Sequence, residues 1–309
     1  MMKVVSVINY KGGVGKTTLT ANLGAYAAVK GKRVLMVDLD PQTHLTFSFM
    51  TPEQWRASYA DTMTLLNYFE HIAKEDNNIF PLASLTIPLR LGDVMRLNNW
   101  KLDLICSHLK MLDMDAVLAG LLSAPTPQTM AARHLKMYSY LRNELDKVKD
   151  DYDLVLIDCP PSFHIMVKNA ITASDYYIVP AKLDYLSTLG VSELETKIND
   201  YLDEYHQYTH ILGDGKYKPI FLSMLGIVPM MVNIHKGEEP VTVEREYMNL
   251  LKQKHHIYHF IRNNSTVFGS APKDGVPAVL TRPRFNLTAK KIVRELQELG
   301  EEFLRSIDA

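Results

Sequence analysis

Short apolar runs alternate along this chain with longer stretches of helical spacing. Val4-Val5-Ser6-Val7-Ile8, Val34-Leu35-Met36-Val37 and Leu154-Val155-Leu156-Ile157 are almost wholly apolar, as strands buried on both faces of a parallel sheet must be. The pattern predicts strands at 3–9, 33–38, 102–106, 154–158, 176–180 and 220–227, with a late one near 257–261. Helices are expected at 16–30, 128–149, 188–207, 241–254 and 287–306. Strands alternating with helices argue an α/β fold with a mostly parallel, twisted sheet and helices on both faces. The stretch 50–125 fits least well, because Pro81, Pro88, Pro125 and Pro127 punctuate short apolar runs. With Leu102–Cys106 as an internal strand, it reads as an elaborated insert in a single domain spanning 1–309.

The turn after the first strand carries the chemistry. It reads Lys11-Gly12-Gly13-Val14-Gly15-Lys16-Thr17-Thr18 and leads into an Ala- and Leu-rich helix. That context is the one a phosphate-binding loop needs. Glycines let backbone N–H groups curl around an anion, and the helix N-terminus adds its positive end. Lys16 can reach the β- and γ-phosphates, and the Thr17 hydroxyl can ligate Mg2+. An ordinary loop of this type carries glycine where this chain has Tyr10. One nucleotide leaves Lys11 without a role.

Acids close two of the apolar runs. Asp38-Leu39-Asp40-Pro41-Gln42 follows one, and Asp158-Cys159-Pro160-Pro161 follows another. Groups that touch ligands collect at the carboxyl ends of parallel strands. Asp38, Asp40 and Asp158 are therefore candidates for work beside a magnesium-bound phosphate, with Asp158 as the Walker B carboxylate. An aspartate after a strand also commonly caps a helix or opens a turn. The phosphate loop tips the balance toward chemistry.

Taken together, Lys11–Thr18, Val37-Asp38-Leu39-Asp40-Pro41-Gln42 and Ile157-Asp158-Cys159-Pro160-Pro161-Ser162 resemble the deviant Walker A ATPases, the ParA/MinD family, and most closely its ParA-type members. The likeness continues through Ile178-Val179-Pro180-Ala181, Leu225-Gly226-Ile227-Val228 and Ser270-Ala271-Pro272. The resemblance implies a P-loop NTPase fold and a slow, partner-stimulated, Mg2+-dependent ATPase. It implies that Lys11 is the signature lysine, which reaches across a homodimer to the partner's ATP. Asp40 would position the attacking water, and Asp38 would support it. Lys11, Lys16 and Asp40 are then the catalytic set, and Thr17, Asp38, Asp40 and Asp158 the metal set. Family members commonly continue Asp-Pro-Gln with Gly-Asn, whereas this chain has Thr43-His44.

Composition sets limits. Among 309 residues, 47% are hydrophobic and the formal net charge is −1, so no global basic field advertises nucleic acid. The two cysteines, Cys106 and Cys159, form no close pair, which suits a reducing cytoplasm. They are also poorly placed for the bridging iron–sulfur cluster of reductase-like relatives. No run approaches the roughly 18 apolar residues of a membrane span, and neither a signal peptide nor an N-terminal helix-turn-helix domain is expected.

The resemblance further implies non-specific DNA binding by the ATP-bound dimer, a nucleoid location in that state and a ParB-like or other adaptor. Lys236 and Arg262 match by position, and Arg282, Arg284, Lys290 and Lys291 are further candidates. The alternative is a MinD-like, membrane-associated positioning ATPase or a regulator of another machine. The last helix opposes that alternative, since Glu295, Glu298, Glu301 and Glu302 follow Lys290, Lys291 and Arg294 and would repel anionic lipid. His206 and His210 share helical spacing without a metal motif, so they are read as ordinary histidines.

Overall fold

The computed structural model describes residues 1–74, 80–89, 100–235, 238–283 and 286–308, with backbone alone over 270–274. Eight strands form one sheet: β1 Lys3–Val7, β2 Val34–Asp38, β3 Ile87–Pro88, β4 Leu102–Ile105, β5 Leu154–Asp158, β6 Tyr176–Ala181, β7 Ser223–Val232 and β8 Ile261–Arg262. Their order is β3-β4-β2-β5-β1-β6-β7-β8, and all pairs are parallel except β3 with β4. The chain is thus a single α/β domain, with β5 between β1 and β2 and the phosphate loop at the sheet's centre.

The strands are apolar on both sides because both sides are covered. Val4, Val155 and Ile157 face a layer holding the helices Leu65–Ala73, Pro127–Tyr138, Ile165–Ala173 and Tyr185–Leu212. Val5, Leu154 and Leu156 face the helices Lys16–Val29 and Leu287–Asp308. The terminal helix buries Ile292, Leu296, Leu299 and Phe303. Its Gly300 lets it lie directly on Tyr26, whose ring would stand 2.3 Å from an added Cβ. This is an ordinary packed helix with a solvated face, as its acidic latter half suggests. Among the described residues no helix is long and apolar enough to cross a membrane.

Most elements fall where the pattern places them, with informative departures. The helix expected at 128–149 is interrupted at Ser139, giving Pro127–Tyr138, Tyr140–Leu145 and a short 3-10 turn at Asp146–Val148. At the break the Ser139 hydroxyl pairs with the Tyr205 hydroxyl at 3.0 Å. The late strand lies at Ile261–Arg262, paired with β7 across a register shift where Met231 takes φ 58, and Ile257 of the expected strand makes an isolated bridge to Ile227. Helix Ile165–Ala173 escapes a periodicity reading because it is buried nearly all round. The described part of the 50–125 stretch joins the core: Leu65, Phe69, Met114 and Leu118 belong to the main cluster, and β3 and β4 extend the sheet.

Candidate nucleotide-binding site

The loop from Tyr10 to Gly15 leaves the end of β1 and turns into the helix Lys16–Val29. Gly13 and Gly15 sit at φ 66 and 93, in the left-handed region that side chains resist. Over Gly12 and Gly13 an added Cβ would meet nothing within 4 Å, so the loop's outer face is open. At Gly15 an added Cβ would stand 2.9 Å from Met230 Cε. Gly15 caps the helix without a side chain, and no acid occupies the first turn. Free N–H groups and the helix's positive end therefore point at this space.

Lys16 lies across the loop, donating from Nζ to the carbonyls of Asn9 at 3.1 Å and Lys11 at 3.3 Å. Burial lowers its pKa, while Asp158 and Asp40 pull it back up. Thr17 Oγ1 donates to Asp158 Oδ2 at 2.7 Å, and Thr20 Oγ1 to Asp158 Oδ1 at 3.3 Å. Burial pushes the Asp158 carboxyl up to about 7, against the pull of the Thr17 bond. Hydroxyl and carboxylate oxygens are the hard donors Mg2+ prefers, and Thr17 with Asp158 would hold the ion beside the phosphates, where it would neutralise developing charge. Among the described residues no group of three or more His, Cys, Asp or Glu could hold a metal.

Asp38 faces Asp158 across the β2–β5 register and is fully buried. Its Oδ2 accepts from the Thr46 amide at 2.8 Å and the Thr46 hydroxyl at 2.7 Å, and its Oδ1 from the Asp40 amide at 3.2 Å. Burial, with Asp158 adding to it, holds its pKa well above the usual carboxylate range. These bonds place Asp38 as the support of the Asp40 backbone. Asp40 accepts from the Gln42 amide at 2.9 Å and is 6% exposed. Beyond it, Thr43 takes φ 56 with its hydroxyl buried and unpaired. That left-handed backbone is one glycine adopts more readily than threonine.

Sequence reasoning missed three contributors. Asn9 accepts from the Lys11 amide at 2.9 Å and donates to the Pro180 carbonyl at 2.8 Å, tying the loop to β6. Thr46 holds Asp38, as described. Asp184 grips Lys11: Nζ lies 2.8 Å from Oδ2 and 3.1 Å from both Oδ1 and Ser187 Oγ. Burial raises the Asp184 carboxyl, but Lys11 and the Ser187 N–H outweigh it and hold it below the usual range. The rule that flagged Asp38 and Asp158, an acid just past a parallel strand, also flags Asp184 after β6.

Of the basic candidates, Lys236 and Arg284 lie outside the described residues. Arg262 is 12% exposed and paired with Glu295 and Glu238. Lys291 pairs with Glu238 as well, whereas Arg282 and Lys290 are exposed. Cys106 and Cys159 are both fully buried, and burial pushes the Cys106 thiol up to about 12. Neither thiol is available to a cluster shared between subunits.

The AAA_31 family model, described as an AAA domain, matches residues 2–211. That span includes the loop, the acids and Asp184. The chain belongs to the ParA/MinD family of P-loop ATPases. The sporulation initiation inhibitor protein Soj of Bacillus subtilis is 28% identical over 92% of this chain and 93% of its own. By fold, the chain is similar to McdA of Cyanothece in an ATP complex, with TM-score 0.70 and 19% identity over 99% of this chain and 96% of that one. It is also similar to cobyrinic acid a,c-diamide synthase of Mycobacterium smegmatis with bound ADP and magnesium, at TM-score 0.63 and 22% identity over 100% and 96%.

Proposed function

We propose that this chain is a ParA-like ATPase: ATP closes two copies face to face, the dimer binds DNA without sequence preference, and hydrolysis to ADP and phosphate resets it. Its task would be partitioning of a plasmid or chromosome, or positioning of another cargo, with an adaptor that stimulates hydrolysis. The observation that carries the reading is Lys11. It stands at the start of the loop and is held at the sheet's carboxyl edge by the half-exposed Asp184 and the buried Ser187.

The chemistry asks for positioning rather than covalent steps. Lys16 and the loop amides bind the phosphates. Asp40, braced by Asp38 and Thr46, orients water toward the γ-phosphate, and Lys11 from the second copy offsets the charge that develops. Similarity to the chromosome-partitioning ATPase Soj of Treponema pallidum, 29% identical over 63% of this chain and 62% of its own, supports the partitioning branch, and the terminal helix turns its apolar residues into the core. DNA contact would be electrostatic, so it would weaken steeply with salt. The test is pelleting of Asp40→Ala protein with DNA or with anionic liposomes, each with and without ATP. ATP-dependent, salt-sensitive DNA binding is expected; liposome binding in its place would sink the reading.

A further inference from the structure

Two apolar features flank the phosphate loop along the carboxyl edge of the sheet. On the β6 side, Tyr185, Leu186 and Leu189 are 61, 68 and 52% exposed, directly after the Asp184 that grips Lys11. On the β2–β5 side lies a cavity of about 580 Å3 between the loops that follow those strands. Pro41, Leu112, Pro160 and Phe163 wall it, and Asp40 reaches into its lining. The rim residue Leu112 is itself 61% exposed. One feature is convex and the other concave, and a single chain leaves both open to solvent.

We propose that in the ATP-bound dimer the Tyr185–Leu189 turn of each copy seats in the cavity between the Asp40 and Pro160 loops of the other. This rests on the reading above that two copies close with their phosphate loops facing. The strand order β2-β5-β1-β6 puts cavity and turn on opposite sides of the loop strand β1. A twofold axis through the facing loops along the sheet normal carries the β6 side of one copy over the β2–β5 side of the other. An axis along the sheet would set convex turn against convex turn and leave both cavities empty. Only the crossed arrangement buries both apolar features, as a stable self-complementary interface requires.

The contact has a chemical consequence. The seated turn bears on Pro41 and Gln42, and the Gln42 amide is bonded to Asp40. Dimer closure thereby braces the residue that orients the attacking water. The same segment also carries Asp184, so the movement that seats the turn and the release of Lys11 to the partner belong to one step.

Cross-linking tests this in the hydrolysis-blocked Asp40→Ala protein with ATP. The native Cys106 and Cys159 are fully buried and do not compete for a bismaleimide. A Leu186→Cys/Leu112→Cys protein is expected to cross-link between copies only with ATP, while neither single variant does. Leu186→Ser is expected to weaken the ATP dimer at least tenfold by ultracentrifugation, with monomer ATP affinity unchanged. Cross-linking of Leu186→Cys alone, or ATP-dependent dimers without a cross-link in the double variant, overturns the proposal and leaves the dimer reading standing. Absence of any ATP-dependent dimer overturns both.

Discussion

Lys11 Nζ rests 2.8 Å from Asp184 Oδ2 of its own chain, so the lysine assigned to a partner's nucleotide has a local partner to leave. Both side chains are well exposed, at 37 and 43%, and such pairs are worth no more than about 1 kcal/mol. Asp184→Asn removes the charge while keeping a good N-cap for the Tyr185–Leu212 helix. It should tighten the ATP dimer by up to about fivefold, with little change in Tm. Lys11→Ala should abolish the dimer and leave nucleotide binding intact, and ultracentrifugation beside nucleotide titration separates the two.

Thr46 joins Asp38 to the end of β4, because its Oγ1 also accepts from the Ser107 amide at 3.2 Å. Thr46→Val deletes one of the two Thr46 bonds to a buried carboxylate, a loss of about 1–3 kcal/mol where Asp40 is held. The maximal ATPase rate should fall at least tenfold with little change in the KM for ATP, and Thr46→Ser should restore it. An unchanged rate in Thr46→Val would remove Thr46 from the support of Asp40.

The buried Asp158 sets a pH dependence. Its pKa rises from 3.8 to about 7 on folding, so the folded protein binds the proton more tightly than the unfolded chain. This contribution is present in full below pH ~4 and is lost as pH rises through about 7, on the order of 4 kcal/mol across that window. In nucleotide-free protein, Asp158→Asn should raise Tm more at pH 8 than at pH 5 while abolishing hydrolysis. Equal Tm shifts at the two pH values would contradict the assignment of this dependence to Asp158.

Gly300 inverts the usual rule for helix interiors. Glycine to alanine in a helix ordinarily gains roughly 1 kcal/mol. Here the new methyl would meet the Tyr26 ring at 2.3 Å, and overpacking costs about 1–3 kcal/mol. Gly300→Ala should therefore lower stability in urea titration. In a Tyr26→Ala background, where Cγ and the ring are gone, the same change should be neutral or stabilising.

Arg262 illustrates why loss of DNA binding needs a stability control. Its guanidinium is 12% exposed and bonded to Glu295, which is 7% exposed. Arg262→Ala leaves that carboxylate buried and unpaired, at a cost of about 3–5 kcal/mol. It should drop Tm sharply before any DNA assay is run. Lys290→Ala, at an exposed site, should leave Tm unchanged and lower the salt dependence of DNA binding by roughly one phosphate contact.

The sequence by itself determined the α/β layering, the phosphate loop, the placement of Asp38, Asp40 and Asp158 at strand ends, and the packed terminal helix. Each follows from spacing over a few residues, where backbone geometry is set: glycines at φ 66 and 93, acids just past buried strands, apolar residues at helical period. Only the tertiary structure decided the partners. Lys11 and Asp184 are 173 residues apart, and Arg262 and Glu295 are 33 apart. No local pattern marks which charge meets which, because the meeting depends on how the sheet orders its strands and where the helices lie upon it. That order pairs Lys11 with Asp184, and sets the exposed Tyr185–Leu189 turn and the cavity beside Asp40 on opposite sides of the same loop.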